Sequence, residues 1–140
     1  MIKRLSKLYQ MTPYSAVTQA VDVGKLARDA RLEIKVSAVG SEIVSDARKL
    51  TVDATVRNIT KSKMPIHREF FRIIDAESCV YAPLQEGQPS YGASPDDRVN
   101  VRLSFGIPAK SEGLSLLYSD SGSVFVFKGI EHQAHIESRR

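Results

Sequence analysis

Leu50-Thr51-Val52-Asp53-Ala54-Thr55-Val56-Arg57-Asn58 is the stretch that decides the fold. Its apolar side chains fall at every second position, and the residues between them are polar or charged. In a β-strand successive side chains point to opposite faces, so Leu50, Val52, Ala54 and Val56 line one face and meet a core there. Working outward, the same period recurs on both sides. Leu32, Ile34 and Val36 alternate with Glu33, Lys35 and Ser37, and Val99, Val101, Leu103 and Phe105 alternate up to Gly106-Ile107-Pro108. Shorter apolar stretches follow the same reading: residues 70–74 (Phe-Phe-Arg-Ile-Ile), 79–82 (Cys-Val-Tyr-Ala), Leu114, Leu116 and Tyr118, and 124–127 (Val-Phe-Val-Phe). A further strand is expected around residues 25–27.

Between these segments lie turn signals. Residues 40–49 read as a polar hairpin connection, and residues 58–63 as a turn cluster rich in side chains that bond their own backbone. Residues 83–97 carry Pro83, Gly87, Pro89, Gly92 and Pro95 and read as one long irregular loop. Seven or so short strands with turns between them, and no alternation of strand with helix, predict an all-β fold: an immunoglobulin-like antiparallel β-sandwich of about seven to eight strands with an N-terminal arm.

The order of signals resembles the immunoglobulin-like domain of unknown function found in many bacterial lipoproteins and surface proteins and in some phage-encoded proteins. The residues that carry the resemblance are the strand 50–58 ending in Asn58, Phe71-Arg72-Ile73-Ile74-Asp75 with Tyr81 soon after, and the strand 99–108 followed by Leu114-Ser115-Leu116-Leu117-Tyr118. It covers residues 20–128 and rests on packing and turn motifs. It implies a sandwich, and it brings no catalytic residues with it. The chain differs from the usual members in showing no secretion signal or lipid anchor.

Composition and charge bound the function. The chain has 140 residues, which suits one domain, and hydrophobic residues make up 42% of it. Basic residues outnumber acidic ones by 20 to 16. Most of that excess is N-terminal: residues 1–30 hold Lys3, Arg4, Lys7, Lys25 and Arg28 against Asp22 and Asp29. The remainder is close to neutral and its aromatics do not interleave with basic residues, which disfavours nucleic acid as a partner. One cysteine, Cys79, excludes an intrachain disulfide framework and a multi-cysteine zinc site. No apolar run is long enough for a membrane-spanning helix. The basic start of the chain is not followed by an apolar core, so no signal peptide is expected, and the expected location is the cytoplasm or a virion.

The division expected is a basic arm (residues 1–20), the sandwich (21–130) and a C-terminal tail (131–140). Ile2, Leu5, Leu8 and Tyr9 fall near helical spacing, with Lys3, Arg4 and Lys7 on the other faces. An amphipathic segment this short needs a surface to lie on. These seven residues and Tyr91, in the Pro/Gly-rich stretch, are therefore the expected partner-binding residues.

The candidate chemical residues have simpler readings. His132 and His135 at i, i+3, with Glu131 and Glu137 nearby, could face one metal ion on a helix, but a solvated or docking tail accounts for them. Cys79, with His67 the nearest His in sequence, reads as an inert half-core thiol on a strand. Asp96-Asp97, with Glu86 nearby, reads as a turn that caps the next strand. Tyr81 and Tyr118 read as sandwich residues with hydroxyls at the rim. No catalytic, metal or cofactor residue is assigned. The expected function is a non-enzymatic interaction module: an accessory subunit of a larger assembly, such as a virion decoration or neck/tail protein. It would bind other proteins or a second copy of itself. The alternatives are an envelope-associated or secreted binding domain, and a nucleic-acid binder that uses the arm.

Overall fold

The computed structural model describes residues 19–22 and 26–136. In chain order the strands are β1 (Gln19–Asp22), β2 (Leu26–Arg28), β3 (Leu32–Val44), β4 (Ala47–Asn58), β5 (Met64–His67), β6 (Phe71–Ile74), β7 (Val80–Tyr81), β8 (Ser90–Ala93), β9 (Arg98–Pro108), β10 (Ser115–Ser119), β11 (Val124–Lys128) and β12 (Ala134–Ile136). They build an all-β sandwich. One sheet runs β12-β3-β4-β9, with β2 also on β3; the other runs β1-β11-β10-β6-β7; β5 and β8 form a small third sheet. The chain makes the β3–β4 hairpin, crosses to β6 and β7, returns for β9, and crosses again for the β10–β11 hairpin.

The alternating residues do what their period demands. Leu32, Ile34, Leu50, Val52, Val56 and Phe105 from the first sheet are buried against Phe71, Ile73, Leu116, Tyr118, Phe125 and Phe127 from the second. Each such side chain contributes roughly 1.5–3 kcal/mol on leaving water. Phe71 and Phe70 both meet the Tyr118 ring edge-on, with centroids 5.0 and 5.8 Å away.

Several expectations need correction. Residues 40–49 are not a loose connection. β3 and β4 pair to their ends, from Leu32↔Asn58 to Val44↔Ala47, with Glu42 opposite Lys49. Only Ser45 and Asp46 form the turn, and Ser45 takes the left-handed conformation (φ 60) that two-residue hairpins of this twist need. Residues 83–97 are not one irregular loop either, because β8 pairs antiparallel with β5 from Met64↔Ala93 to His67↔Ser90. A 3-10 turn over Arg68–Phe70 shortens the strand expected at 70–74. Gly106 and Pro108 do not halt β9, which stays paired through Ala47↔Pro108. The pairing is antiparallel except at two edges, where β1 runs parallel to β11 and β12 parallel to β3. β1 begins at Gln19, and β12 joins the first sheet beside β3.

The two outward faces differ. On the first sheet the outward positions are polar and ion-paired, as in Arg102–Asp53 (2.9 Å) and Arg57–Glu33 (3.5 Å). On the second, Leu117 and Ile74 alternate with core residues and so point away from the core, yet they are only 5% and 8% exposed.

Candidate functional site

Among the described residues a depression lies at the end of the sandwich where β6 gives way to β7. Its volume is about 520 Å³, and its walls come from Asp75, Ala76, Glu77, Cys79 and Tyr81 and from Pro108, Lys110, Ser111 and Glu112 around the β9–β10 connection. Asp75 ends β6 and organises one wall. Its Oδ1 accepts from the backbone N–H groups of Glu77 and Cys79, both at 2.9 Å. Its Oδ2 accepts from the Tyr81 hydroxyl at 3.0 Å, and that hydroxyl is 3.5 Å from Ser111 Oγ. Ser78 takes a left-handed φ of 68 to close the turn. The opposite wall is tied down equally closely. Arg48 Nη2 donates to the Ser111 carbonyl at 2.6 Å, the Ala76 N–H donates to the Glu112 carbonyl at 2.9 Å, and the Glu131 carboxylate accepts from the N–H groups of Gly113 and Leu114 at 2.6 and 2.7 Å.

Electrostatics follow from that geometry. Burial and then the Asp75 carboxylate push the Cys79 thiol up, so it stays protonated at neutral pH. Burial likewise raises the Tyr81 phenol, with Asp75 adding to it, so Tyr81 acts as a hydroxyl donor. Cys79 is not on a strand as expected; it sits in the turn before β7, with its N–H on Asp75 and its carbonyl accepting from the Asp75 N–H.

A second polar node closes the opposite end of the same sheet. Tyr118 is fully buried, not at the rim, and its hydroxyl donates to Asp120 Oδ2 at 2.5 Å. Arg31 Nη1 pairs with Asp120 at 3.0 Å and donates to Ser123 Oγ at 2.7 Å, while the N–H groups of Gly122 and Ser123 donate to Asp120 Oδ1. Burial alone would raise the Asp120 carboxyl, but Tyr118, the two N–H groups and Arg31 outweigh it and hold it below the usual range. Burial and Asp120 push the Tyr118 phenol far up.

The expected partner-binding residues Ile2, Lys3, Arg4, Leu5, Lys7, Leu8 and Tyr9 lie outside the described residues. Tyr91 lies on β8, half-buried against the core cluster. His132 falls in the turn Ile130–Gln133 and His135 in β12, so the two do not share a helix. Asp96 turns left-handed (φ 66) and its carboxylate accepts from Arg57 Nη2 at 3.0 Å.

Sequence reasoning missed the clamps. Arg68 is buried (9% exposed), and its guanidinium donates to the Glu86 and Gly87 carbonyls at 2.8 and 3.3 Å and to Gln85 Oε1 at 2.8 Å, fixing the segment before β8. Nothing in the local pattern marks it. Asn58 is fully buried and makes four side-chain hydrogen bonds; its place at a strand end before a polar cluster was the available signal.

No family model matches this chain, and no curated protein matches it. Solved structures do. The yjhA protein of Bacillus subtilis superposes with a TM-score of 0.60 at 16% identity, covering 77% of this chain and 98% of that one. A secreted protein of Mycobacterium tuberculosis gives 0.62 at 12% identity, covering 79% and 96%. The ycdA protein of Bacillus subtilis, which carries a lipoprotein designation, gives 0.64 at 15% identity, covering 77% of this chain and 39% of that one. At these identities the likeness establishes a shared β-sandwich fold.

Proposed function

We propose that this chain is a non-enzymatic protein-interaction module, an immunoglobulin-like sandwich of the envelope-associated or secreted kind. The observation that carries the reading is how the polar groups around the depression are used. Asp75 spends both oxygens on its own turn and on Tyr81, and the Cys79 thiol is held protonated beside it. A nucleophile or general base needs the reverse: a free acceptor, or a thiolate. What is left is a rigid, mixed-charge concavity, suited to contact rather than turnover. The strand order β3-β4-β9 against β11-β10-β6-β7, with the chain changing sheets after each hairpin, supports the immunoglobulin-like reading.

The envelope class is preferred to a virion accessory role because two of the three structures named above are described as a secreted protein and a lipoprotein. The virion expectation rested on residues 1–20, of which only Gln19 and Ala20 are described.

The test is site-specific photo-crosslinking in cells of the source organism, with the probe at Lys110 of the full chain. A discrete crosslink to an envelope protein, lost when purified unlabelled chain competes, supports the proposal. Fractionation of the chain with the cytoplasm overturns the envelope reading. A turnover of any small substrate that Cys79→Ala or Asp75→Asn abolishes, with the fold intact by circular dichroism, overturns the non-enzymatic one.

A further inference from the structure

Two features meet at the end of the sandwich that carries the β3–β4 hairpin tip. The first is apolar. Among the described residues the large hydrophobic side chains left exposed are Leu26, Ile43 and Val44, and the last two are neighbours at that tip, 48% and 61% exposed. Register extends the patch: Val44 stands opposite Ala47, and Ala47 opposite Pro108. Residues opposite one another on paired strands share a face, so these three form one row across β3, β4 and β9. All three are exposed. The second feature is the depression, and Pro108 belongs to both, because it also lines that cavity. At about 520 Å³ the cavity has the size of an ordinary ligand site. Its lining sets the carboxylates of Asp75, Glu77 and Glu112 against the single ammonium of Lys110. Asp75 is committed to its own turn and to Tyr81. Glu77 and Glu112 tie themselves into the walls through backbone groups, and both residues are exposed. The lining is thus acidic in a chain whose net charge is +4.

We propose that this end of the sandwich binds an extended segment of a partner protein, one that carries an apolar residue about three positions from a lysine or arginine. The spacing follows from the row. From Val44 to Pro108 is two strand spacings, about 10 Å, which three residues of extended chain span. The apolar residue rests on the Val44–Ala47–Pro108 row, and the basic side chain enters the depression, where Glu77 and Glu112 meet its charge. Charge complementarity selects the occupant: an acidic segment would bring its carboxylates against three others. The apolar row supplies the contact area that a lone ion pair lacks, since an exposed pair contributes little by itself. The inference rests on the interaction reading proposed above and names the chemistry of the partner for that same site.

The experiment titrates the isotope-labelled full chain by NMR with a short peptide that carries Leu three residues before a Lys-Arg pair, and with its counterpart carrying Glu-Glu. The expected result is saturable amide shifts at Val44, Ala47 and Lys110–Glu112 with the basic peptide and none with the acidic one. Glu77→Gln combined with Glu112→Gln should weaken binding about fivefold or more, the effect of losing two exposed ion pairs. Asp97→Lys changes the net charge by the same amount at the other end of β9 and should leave affinity within about twofold. Val44→Ser should weaken binding about threefold by removing apolar contact. An absence of shifts at these residues, equal shifts with the acidic peptide, or a loss with Asp97→Lys as large as that of the double variant overturns the proposal. Shifts at the same residues on concentrating the chain alone also overturn it, in favour of a second copy as the occupant. The interaction reading stands or falls separately, on the Lys110 crosslink.

Discussion

Replacing Asn58 by alanine removes a buried side chain that makes four hydrogen bonds. The Asn58 amide is fully buried at the end of β4. Its nitrogen donates to the Ser62 and Ala93 carbonyls, both at 2.8 Å, and its oxygen accepts from the Thr60 N–H at 2.8 Å and the Thr60 hydroxyl at 2.7 Å. The full hydrogen-bonding capacity of the amide is therefore met. At about 1 kcal/mol net per bond the loss would be about 4 kcal/mol. Thr60 and Ser62 are partly exposed and recover some of this from water, whereas the Ala93 carbonyl does not, which brings the expected loss to about 3 kcal/mol. For a chain of this size that lowers the melting temperature by roughly 10–15 °C. Urea denaturation should show the midpoint falling with the slope unchanged. A loss below about 1 kcal/mol would refute the reasoning, since it is no more than one ordinary bond. Asn58→Asp sharpens the test, because its second oxygen must face two carbonyls. The charged form is disfavoured there, so the folded-state carboxyl is raised. The variant should be closest to the parent below the unfolded carboxylate pKa and lose stability as pH rises through it.

Two other predictions follow from sites at the ends of the sandwich. Because the folded Asp120 carboxyl is held below its unfolded value, its contribution is present above the unfolded pKa and is lost as pH falls through the folded one; Asp120→Asn should flatten that acid limb in pH-dependent urea titrations, and an unchanged limb would rule the assignment out. Gly113 and Gly87 both have positive φ, but a Cβ at Gly113 would meet Ala76 Cβ at 2.8 Å and one at Gly87 would meet nothing. Gly87→Ala should cost about 1 kcal/mol in calorimetry, and Gly113→Ala clearly more; equal losses would show that the contact with Ala76 is immaterial.

What the sequence disclosed depended on how local the cause was. Leu50 to Val56 and Val99 to Phe105 reveal their strands because each residue alone states which face it takes. Ser45-Asp46 hid the tight hairpin tip, since the turn takes its shape from the long ladder behind it and not from a glycine. Ser90 to Ala93 hid β8, whose ladder depends on Met64 to His67, remote in the chain. The same limit applied to the site. Asp75 could be read as a turn former from Asp75-Ala76-Glu77-Ser78, but its bond to Tyr81 and the wall at Ser111 required the fold. Tyr118 looked like a rim residue because nothing near it announces that Arg31 and Asp120 close over its hydroxyl.

The parallel pairing of β1 with β11 has a consequence for synthesis. Gln19 to Asp22 leave the ribosome long before their partners Phe125 to Lys128. Until then β10 lacks its β11 neighbour, and the early strand has nowhere to pair. A ladder with so large a sequence separation is a slow, late step, and it leaves an unpaired edge open for most of translation. Chains truncated before Val124 should therefore be protease-sensitive throughout β10, although they already contain β3, β4 and β9.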